Sequence, residues 1–213
     1  RKVKDLYLVN SLSTPRPTLK TYKYEMPGDK EISQSELLVI DVETKKITKI
    51  ETDKWQDQYL EVLYTTKNSD KIYFERINRA FNEKELCVAD VNTGTTKVLI
   101  NEKDKPFLDF KMVNISFLND GQDIIYRSER TGWGHYYLYD GEGNLKNEIT
   151  SGAWVAGPVS EIDTVGRVLY FYALGKDKNI DPYYYVLCKA DLDKPNSVEQ
   201  LTFDNVNHMV DWS

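Results

Sequence analysis

Four short apolar runs along the chain each end at an aspartate, and their spacing is nearly even. The runs ELLVID, ELCVAD, YYLYD and VLCKAD end at Asp41, Asp90, Asp140 and Asp191, so the gaps between the aspartates are 49, 50 and 51 residues. A constant period of about 50 residues, with a strand at the same place in every unit, is typical of a repeating β-architecture.

Three units carry four strand-like stretches each, separated by turn residues rich in Asn, Asp and Gly. The predicted strands are 59–65, 72–77, 85–90 and 95–100; 113–118, 123–128, 135–140 and 145–150; and 155–162, 167–173, 183–190 and 198–202. Residues 3–9 and 18–26 predict two further strands, and residues 206–212 predict the opening strand of another unit. Four short antiparallel strands per unit predict the blade of a β-propeller.

The third strand of a unit is apolar at consecutive positions, as in 37–40 and 184–187. Strict alternation is typical of a sheet with one wet face, whereas a continuous apolar run indicates a strand covered on both faces. Neighbouring blades of a propeller supply that double cover. A β-sandwich or an up-and-down barrel does not explain the period, and no stretch predicts a helix.

The predicted fold is therefore all-β: a propeller segment of about four blades with four antiparallel strands each, part of a larger propeller. The predicted units are 1–53, 54–104, 105–152 and 153–203, with the start of the next blade at 204–213. Because the last unit is incomplete, we expect the chain to be part of a longer polypeptide. Its outermost blades should then leave apolar faces uncovered and favour self-association.

Composition and charge limit which partners the chain is expected to bind. The net charge of −6 and the lack of a basic patch argue against nucleic acid. No run of 18 apolar residues predicts a membrane span, and no signal peptide is visible. The two cysteines, Cys87 and Cys188, each lie in the apolar run of a different unit, which favours two separate buried thiols over a disulfide.

Motifs for catalysis are missing from the sequence. It contains no G-x-S-x-G, no H-E-x-x-H and no G-x-G-x-x-G, so we predict no catalytic residue, no metal site and no cofactor in this chain. The acidic turns 119–123 and 191–193 lack a full set of calcium ligands, and their side chains are expected to bond to their own turn backbone. His135 is expected to be a buried ring paired with a backbone group rather than a general base.

The stretch 126–140, YRSERTGWGHYYLYD, offers the best candidates for ligand contact. Arg127 and Arg130 could clamp a carboxylate or carbonyl, because a guanidinium presents a rigid fork of donors. The exposed aromatic Trp133 could face the same ligand. The alternative is structural: the arginines balance Glu129 and nearby acids, and Trp133 packs at a blade edge.

Longer stretches resemble one family. RPTLKTYKYEMPGD (16–29), ELCVADVNTG (85–94), SERTGWGHYYLYD (128–140) and LTFDNVNHMVDWS (201–213) resemble the N-terminal propeller of bacterial dipeptidyl-peptidase IV-like enzymes, which belong to the prolyl oligopeptidase group of serine peptidases. The resemblance covers nearly the whole chain and includes the turn TSG-x-W at 150–154.

The resemblance implies an eight-bladed propeller that caps a C-terminal α/β-hydrolase domain of the same polypeptide, and that domain carries the catalytic Ser, Asp and His. The propeller would narrow access and help to hold the amino terminus of a peptide substrate, so that Xaa-Pro or Xaa-Ala dipeptides are released. It also implies a periplasmic or extracellular protein and a homodimeric parent. The family's Glu-Glu clamp for the amino terminus is absent from these 213 residues, which fits a place upstream.

Aligning the F-x-x-D-G stretch 117–121 with the family places Phe110 and Lys111 where many members carry a Phe-Arg pair at the substrate entrance. Lysine in place of arginine loses the bidentate fork, so polar contact with substrate is weakened there. The alternative for Phe110 is an ordinary core position.

Two other functions fit a propeller. One is a stand-alone scaffold for protein partners, which would lack a downstream G-x-S-x-G. The other is a glycosidase with two carboxylates converging in the tunnel, for which the sequence offers no defensible pair.

Overall fold

The chain folds into sixteen β-strands arranged in five antiparallel sheets, described by a computed structural model for residues 2–109 and 114–212. Sheet 1 contains β1 (Asp5–Asn10) and β2 (Thr18–Lys23), and sheet 2 contains β3 (Leu38–Ile40) and β4 (Ile47–Lys49). Sheet 3 contains β5 (Gln58–Thr65), β6 (Lys71–Asn78), β7 (Glu83–Asp90) and β8 (Thr96–Lys103).

Sheets 4 and 5 repeat the four-stranded pattern of sheet 3. Sheet 4 contains β9 (Ile115–Leu118), β10 (Asp123–Ser128), β11 (His135–Asp140) and β12 (Leu145–Glu148). Sheet 5 contains β13 (Val155–Asp163), β14 (Val168–Leu174), β15 (Val186–Asp191) and β16 (Glu199–Gln200). Within each sheet, every strand pairs with the next one along the chain, so every sheet is a simple meander.

The hydrophobic cores lie between successive sheets. Along β11, Tyr136 and Leu138 enter the core shared with sheet 5, whereas Tyr137 and Tyr139 enter the core shared with sheet 3. Successive side chains of a strand point to opposite faces, so an unbroken apolar run serves two cores at once. This is the stacking of wedge-shaped blades, and it confirms the prediction of an all-β propeller segment.

The aspartate that ends each third strand organises the following turn. Asp140 Oδ1 accepts hydrogen bonds from the backbone N–H groups of Glu142 (3.0 Å) and Asn144 (2.8 Å). Asp90 does the same for Asn92 (2.8 Å) and Thr93 (2.9 Å). The regular spacing of the aspartates in the sequence is therefore the spacing of one recurrent turn.

These turns also bring blades together. Gly143 has φ +87°, and a Cβ there would lie 2.5 Å from the carbonyl oxygen of Leu99 in sheet 3. Gly94 occupies the equivalent turn of sheet 3 and approaches the Lys49 carbonyl oxygen of sheet 2 in the same way. Glycine is required at such a position because no side chain fits between the two backbones.

The prediction that the strand at 37–40 is covered on both faces by neighbouring sheets fails in sheet 2. Val39 packs on the core shared with sheet 3, but Leu38 and Ile40 on the other face are 47% and 56% exposed. No other described sheet lies against that face, so the prediction for 37–40 is wrong, although it holds for the third strands β7, β11 and β15. The expected self-association stays a prediction.

The predicted strand at 206–212 does not form in the described residues. The Val210 N–H instead donates to the Tyr172 hydroxyl (2.9 Å), and Trp212 Nε1 donates to Ser160 Oγ (2.9 Å). The segment is therefore bonded to side chains of sheet 5 and, through the His208 N–H, to the Tyr185 carbonyl oxygen (3.1 Å), without forming a strand. Sheets 3, 4 and 5 lie inside the predicted units 54–104, 105–152 and 153–203, and the exact division into units stays a prediction. The only helical element of the described chain is the 3-10 turn Asn119–Gly121.

Candidate functional site

The hairpin between β10 and β11 carries the candidate residues of the sequence. The two strands pair from Asp123–Asp140 to Ser128–His135, and the connecting turn spans 129–134. The turn is closed by a hydrogen bond from the Gly132 N–H to the Glu129 carbonyl oxygen (2.8 Å). Arg127 thus lies inside the strand, whereas Arg130 and Trp133 lie in the turn.

Beside this hairpin lies a cavity of about 250 Å³ between sheets 3 and 4. Sheet 4 and its turn contribute Arg127, Ser128, Glu129 and Arg130. Sheet 3 and the chain that follows it contribute Lys84, Asn101, Glu102, Lys103, Asp104, Leu108 and Asp109. The structure therefore brings the two predicted arginines to one cavity, opposite charged groups of the neighbouring blade.

Glu102 is the central acceptor of this cavity. Its Oε2 accepts a hydrogen bond from the Tyr126 hydroxyl (3.0 Å), and its Oε1 accepts one from Ser128 Oγ. Arg130 Nη2 lies 3.4 Å from Oε1, and Lys84 Nζ lies 3.6 Å from Oε2. The carboxylate is thus held by four groups, which fixes it in place on the wall of the cavity.

Arg130 is partly exposed, and its position is set from two sides. Its guanidinium carbon lies 4.3 Å from the ring centroid of Tyr137, and its Nε donates to Ser128 Oγ (2.9 Å). Stacking on an aromatic face leaves the edge of a guanidinium available for hydrogen bonds. Arg130 is therefore the group of the hairpin best placed to contact a ligand in the cavity.

Arg127 serves the structure of the protein. Its side chain is buried, its Nε donates to the carbonyl oxygen of Ala156 in sheet 5 (2.7 Å), and its Nη1 lies 3.1 Å from Glu129 Oε1. It is a link between sheets 4 and 5. A role for Arg127 in ligand contact is the weaker of the two interpretations.

Of the remaining predicted residues, Trp133 alone belongs to the part of the chain that the structure describes. Trp133 is 43% exposed at the turn and does not line the cavity. Phe110 and Lys111 lie outside the described residues. Their contact with substrate stays a prediction, as does that of Arg130 and Trp133.

His135 is buried and fully paired. Its Nε2 lies 2.8 Å from the Gly152 carbonyl oxygen, which can only accept, so Nε2 carries the proton. Nδ1 then accepts from Thr150 Oγ1 at 3.0 Å. Burial lowers the pKa of His135, so the ring is neutral, and the prediction of a buried ring paired with backbone is confirmed.

The acidic turns behave in two ways. Asp191 Oδ1 accepts the Asp193 N–H (2.9 Å), as predicted. Asp120 instead accepts the Tyr64 hydroxyl (2.7 Å) and the Lys67 N–H (3.0 Å) from sheet 3, so the prediction of own-turn bonding is wrong there. Two neighbouring blades meet at this turn, and the carboxylate links them. The described residues contain no group of three or more His, Cys, Asp or Glu side chains that could hold a metal ion.

Sequence reasoning missed Lys84 and Glu102, which complete the cavity. Both lie within strands of sheet 3, in β7 and β8. The sequence feature that could have indicated a polar cluster is Lys84-Glu85 at the start of an otherwise apolar third strand, because buried charges need partners. Which charges would meet could not be read from the sequence, because the partners come from different blades.

The sheets and cavity define a segment of an antiparallel β-propeller whose blades are joined by polar clusters. The family model for the dipeptidyl peptidase IV (DPP IV) N-terminal region matches residues 1–213, so the chain belongs to that family. A helix of the length and apolarity needed to cross a bilayer does not occur in the described part of the chain.

Several dipeptidyl peptidases 4 are similar to this chain. The dipeptidyl peptidase 4 of Arthroderma otae is 27% identical over 115 residues, which is 52% of this chain and 15% of that protein. The dipeptidyl peptidase 4 of Trichophyton rubrum is 26% identical over 115 residues, with the same shares. The crystal structure of Porphyromonas gingivalis dipeptidyl peptidase 4 shares the fold, with a TM-score of 0.78, 20% identity, and coverage of 95% of this chain and 28% of that one. The chain thus spans only a small part of these relatives.

Proposed function

We propose that this chain is the propeller segment of a serine dipeptidyl-peptidase. In this proposal the segment narrows access to a separate α/β-hydrolase domain of the same polypeptide. It also helps to position the amino terminus of a peptide, from which Xaa-Pro or Xaa-Ala dipeptides are released. The observation that supports it best is the match of all 213 residues to the DPP IV N-terminal region.

Contacts between neighbouring blades support a gating role. Sheets 2 to 5 are joined in succession by apolar cores, and sheets 4 and 5 also by the buried polar link from Arg127 to Ala156. A stiff wall admits flexible chain ends and rejects folded protein, and it can hold an end in one position for attack. We further propose that the protein is periplasmic or extracellular and that it is a homodimer.

Activity of the full-length protein on paired substrates tests the proposal. Gly-Pro-p-nitroanilide should be hydrolysed, whereas its N-acetylated form should not, because the released unit must begin at a free amino terminus. An Xaa-Pro terminus buried in a folded domain should also resist hydrolysis until that domain is unfolded. Hydrolysis of the acetylated substrate would contradict positioning of the amino terminus, and no hydrolysis at all would leave the scaffold function as the better account.

The candidate arginine gives a second test. Arg130→Ala should lower kcat/KM for Gly-Pro-p-nitroanilide by at least about tenfold, mainly through KM, since a charge-assisted hydrogen bond contributes roughly 1.5–3 kcal/mol. Arg16→Ala, at an exposed arginine in the turn between β1 and β2, is the matched control. Equal kinetics for the two variants would remove Arg130 from the substrate path.

A further inference from the structure

A second, larger cavity of about 480 Å³ lies on sheet 3, away from Arg130. Its walls are apolar and come from both neighbouring sheets: Leu63 of β5, Ile77 of β6 and Ile115 of β9. The rings of Tyr59 and Phe81 line it as well, with centroids 5.0 Å apart and planes inclined by 33°. A cavity of this size falls within the range of roughly 300–1,000 Å³ that holds small ligands.

Two glutamates face this apolar space. Glu61 of β5 and Glu75 of β6 are directly opposite each other in the strand register, and both line the cavity. Like charges in a direct cross-strand pair destabilise a sheet. An arrangement that costs stability and is built into a cavity wall is typical of a binding site.

Glu75 is the unusual member of the pair. It is only 5% exposed, and its Oε1 is buried without any hydrogen-bond donor. Lys84 Nζ lies 3.7 Å from this oxygen and 3.6 Å from Glu102 Oε2, so one ammonium is shared between two carboxylates at distances too long for hydrogen bonds. Glu102 has donors from Ser128 and Tyr126 in addition, whereas Glu75 has no comparable donor on Oε1.

A buried carboxylate oxygen without a hydrogen-bond donor costs stability, and a bound donor reduces that cost. Burial raises the pKa of Glu75, Lys84 opposes that effect, and Glu61 and Glu102 add to it. The group that best relieves this arrangement is a cation, because it supplies both charge and donors. The adjacent aromatic rings favour the same kind of ligand.

We propose that this cavity binds an organic cation, an ammonium or guanidinium group on an apolar stem, with the charged group at Glu75 and Glu61 and the stem against Leu63, Ile77 and the rings. The side chain of a lysine or arginine in a peptide has this chemistry. The site lies in the chain itself and does not depend on peptidase activity.

Binding to the full-length protein, measured by isothermal titration calorimetry, tests the site. The probes are n-butylammonium and n-butylguanidinium, with 1-butanol as the neutral analogue of the same stem. The cations should bind at least about tenfold more tightly than the alcohol, as expected for a charge-assisted hydrogen bond. Equal binding of cation and alcohol would overturn the proposal.

Glu75→Gln keeps the shape of the side chain and removes its charge, and it should weaken cation binding by at least about tenfold. Glu199→Gln is the matched control, since Glu199 is an exposed glutamate of sheet 5, and it should leave binding unchanged. Glu61→Gln, at the exposed edge of the cavity, should give a smaller loss and serves if Glu75→Gln fails to fold. Unchanged affinity in a folded Glu75→Gln or Glu61→Gln protein would overturn the proposal.

Two peptides test whether the cation is a side chain. N-acetyl-lysine amide carries only the side-chain ammonium, and it should bind and lose affinity in Glu75→Gln. Glycyl-proline amide carries only the terminal ammonium, and Glu75→Gln should leave its affinity unchanged. Failure of N-acetyl-lysine amide to bind would contradict the proposal. Because the readout is binding, the result stands apart from whether the protein releases dipeptides.

Discussion

Arg127 of β10 reaches across the boundary between blades and donates a hydrogen bond from Nε to the carbonyl oxygen of Ala156 in β13, 2.7 Å away. The guanidinium lies directly against Gly134, where an added Cβ would overlap it. Neighbouring blades also meet through apolar side chains, which are not directional. This polar link therefore fixes the position of one sheet relative to the next.

Removal of the link should cost stability. Arg127→Ala should lower the free energy of unfolding by about 3 kcal/mol, because a buried carbonyl and the Glu129 carboxylate lose their partner. Urea denaturation measures the effect, with Arg16→Ala as the exposed control. Equal midpoints for the two variants would show that the link contributes nothing.

Gly143 should be intolerant of any side chain. Gly143→Ala should destabilise by about 2–4 kcal/mol, because alanine must adopt a left-handed backbone and also overlap the Leu99 carbonyl oxygen. Gly132 is the matched control: its φ is +85° but nothing lies within 4 Å of its added Cβ, so Gly132→Ala should cost only about 1 kcal/mol. Equal losses would mean that backbone strain alone explains both positions and that the approach of the blades is not tight.

The repeat period predicted the fold because the same turn closes each blade. The residues that set the period, Asp90 and Asp140, bond to their own turns, so their effect is local and readable from the sequence. The exposed face of β3 could not be predicted from its local pattern, although it agrees with the expectation that the outermost blades leave apolar faces uncovered. Whether Leu38 is covered depends on a neighbouring sheet, and local pattern carries no information about that neighbour.

Only part of the candidate site could be predicted from the sequence, for the same reason. Arg127 and Arg130 were found because they stand in a distinctive hairpin. Their different roles depend on Ala156 and Glu102, which belong to other blades. Pairing across blades is set by how the sheets stack, and side chains far apart in sequence meet there without any motif.

The free energy of unfolding should fall in acid because the Glu83 carboxylate becomes protonated. Burial alone would raise the pKa of this carboxyl, but hydrogen bonds from Lys54, Asn101 and Lys103 lower it to about 2, compared with an ordinary value of 4.5. A carboxyl with a lowered pKa in the folded state stabilises the protein above pH 4.5, and this contribution is lost as the pH falls from 4.5 towards 2. Glu83→Gln should therefore be less stable than the wild type at pH 7 and nearly equal to it at pH 2, as measured by urea unfolding across this range. A constant difference at all pH values would show that the ion pairs with Lys54 and Lys103 do not carry the effect.

The two cysteines should be inert in the folded protein. Cys87 and Cys188 are buried free thiols in different cores, which confirms the sequence prediction. Burial raises the pKa of Cys87 to about 12 and that of Cys188 to about 11, and the thiolate is the reactive form. Ellman's reagent at pH 8 should therefore detect neither thiol in the native protein and both of them in guanidinium.

The two thiols should become reactive at different rates if blades open one at a time, because Cys87 lies between sheets 2 and 3 and Cys188 between sheets 4 and 5. Rapid labelling of either thiol under native conditions would contradict the burial, and identical rates would indicate that the blades open together.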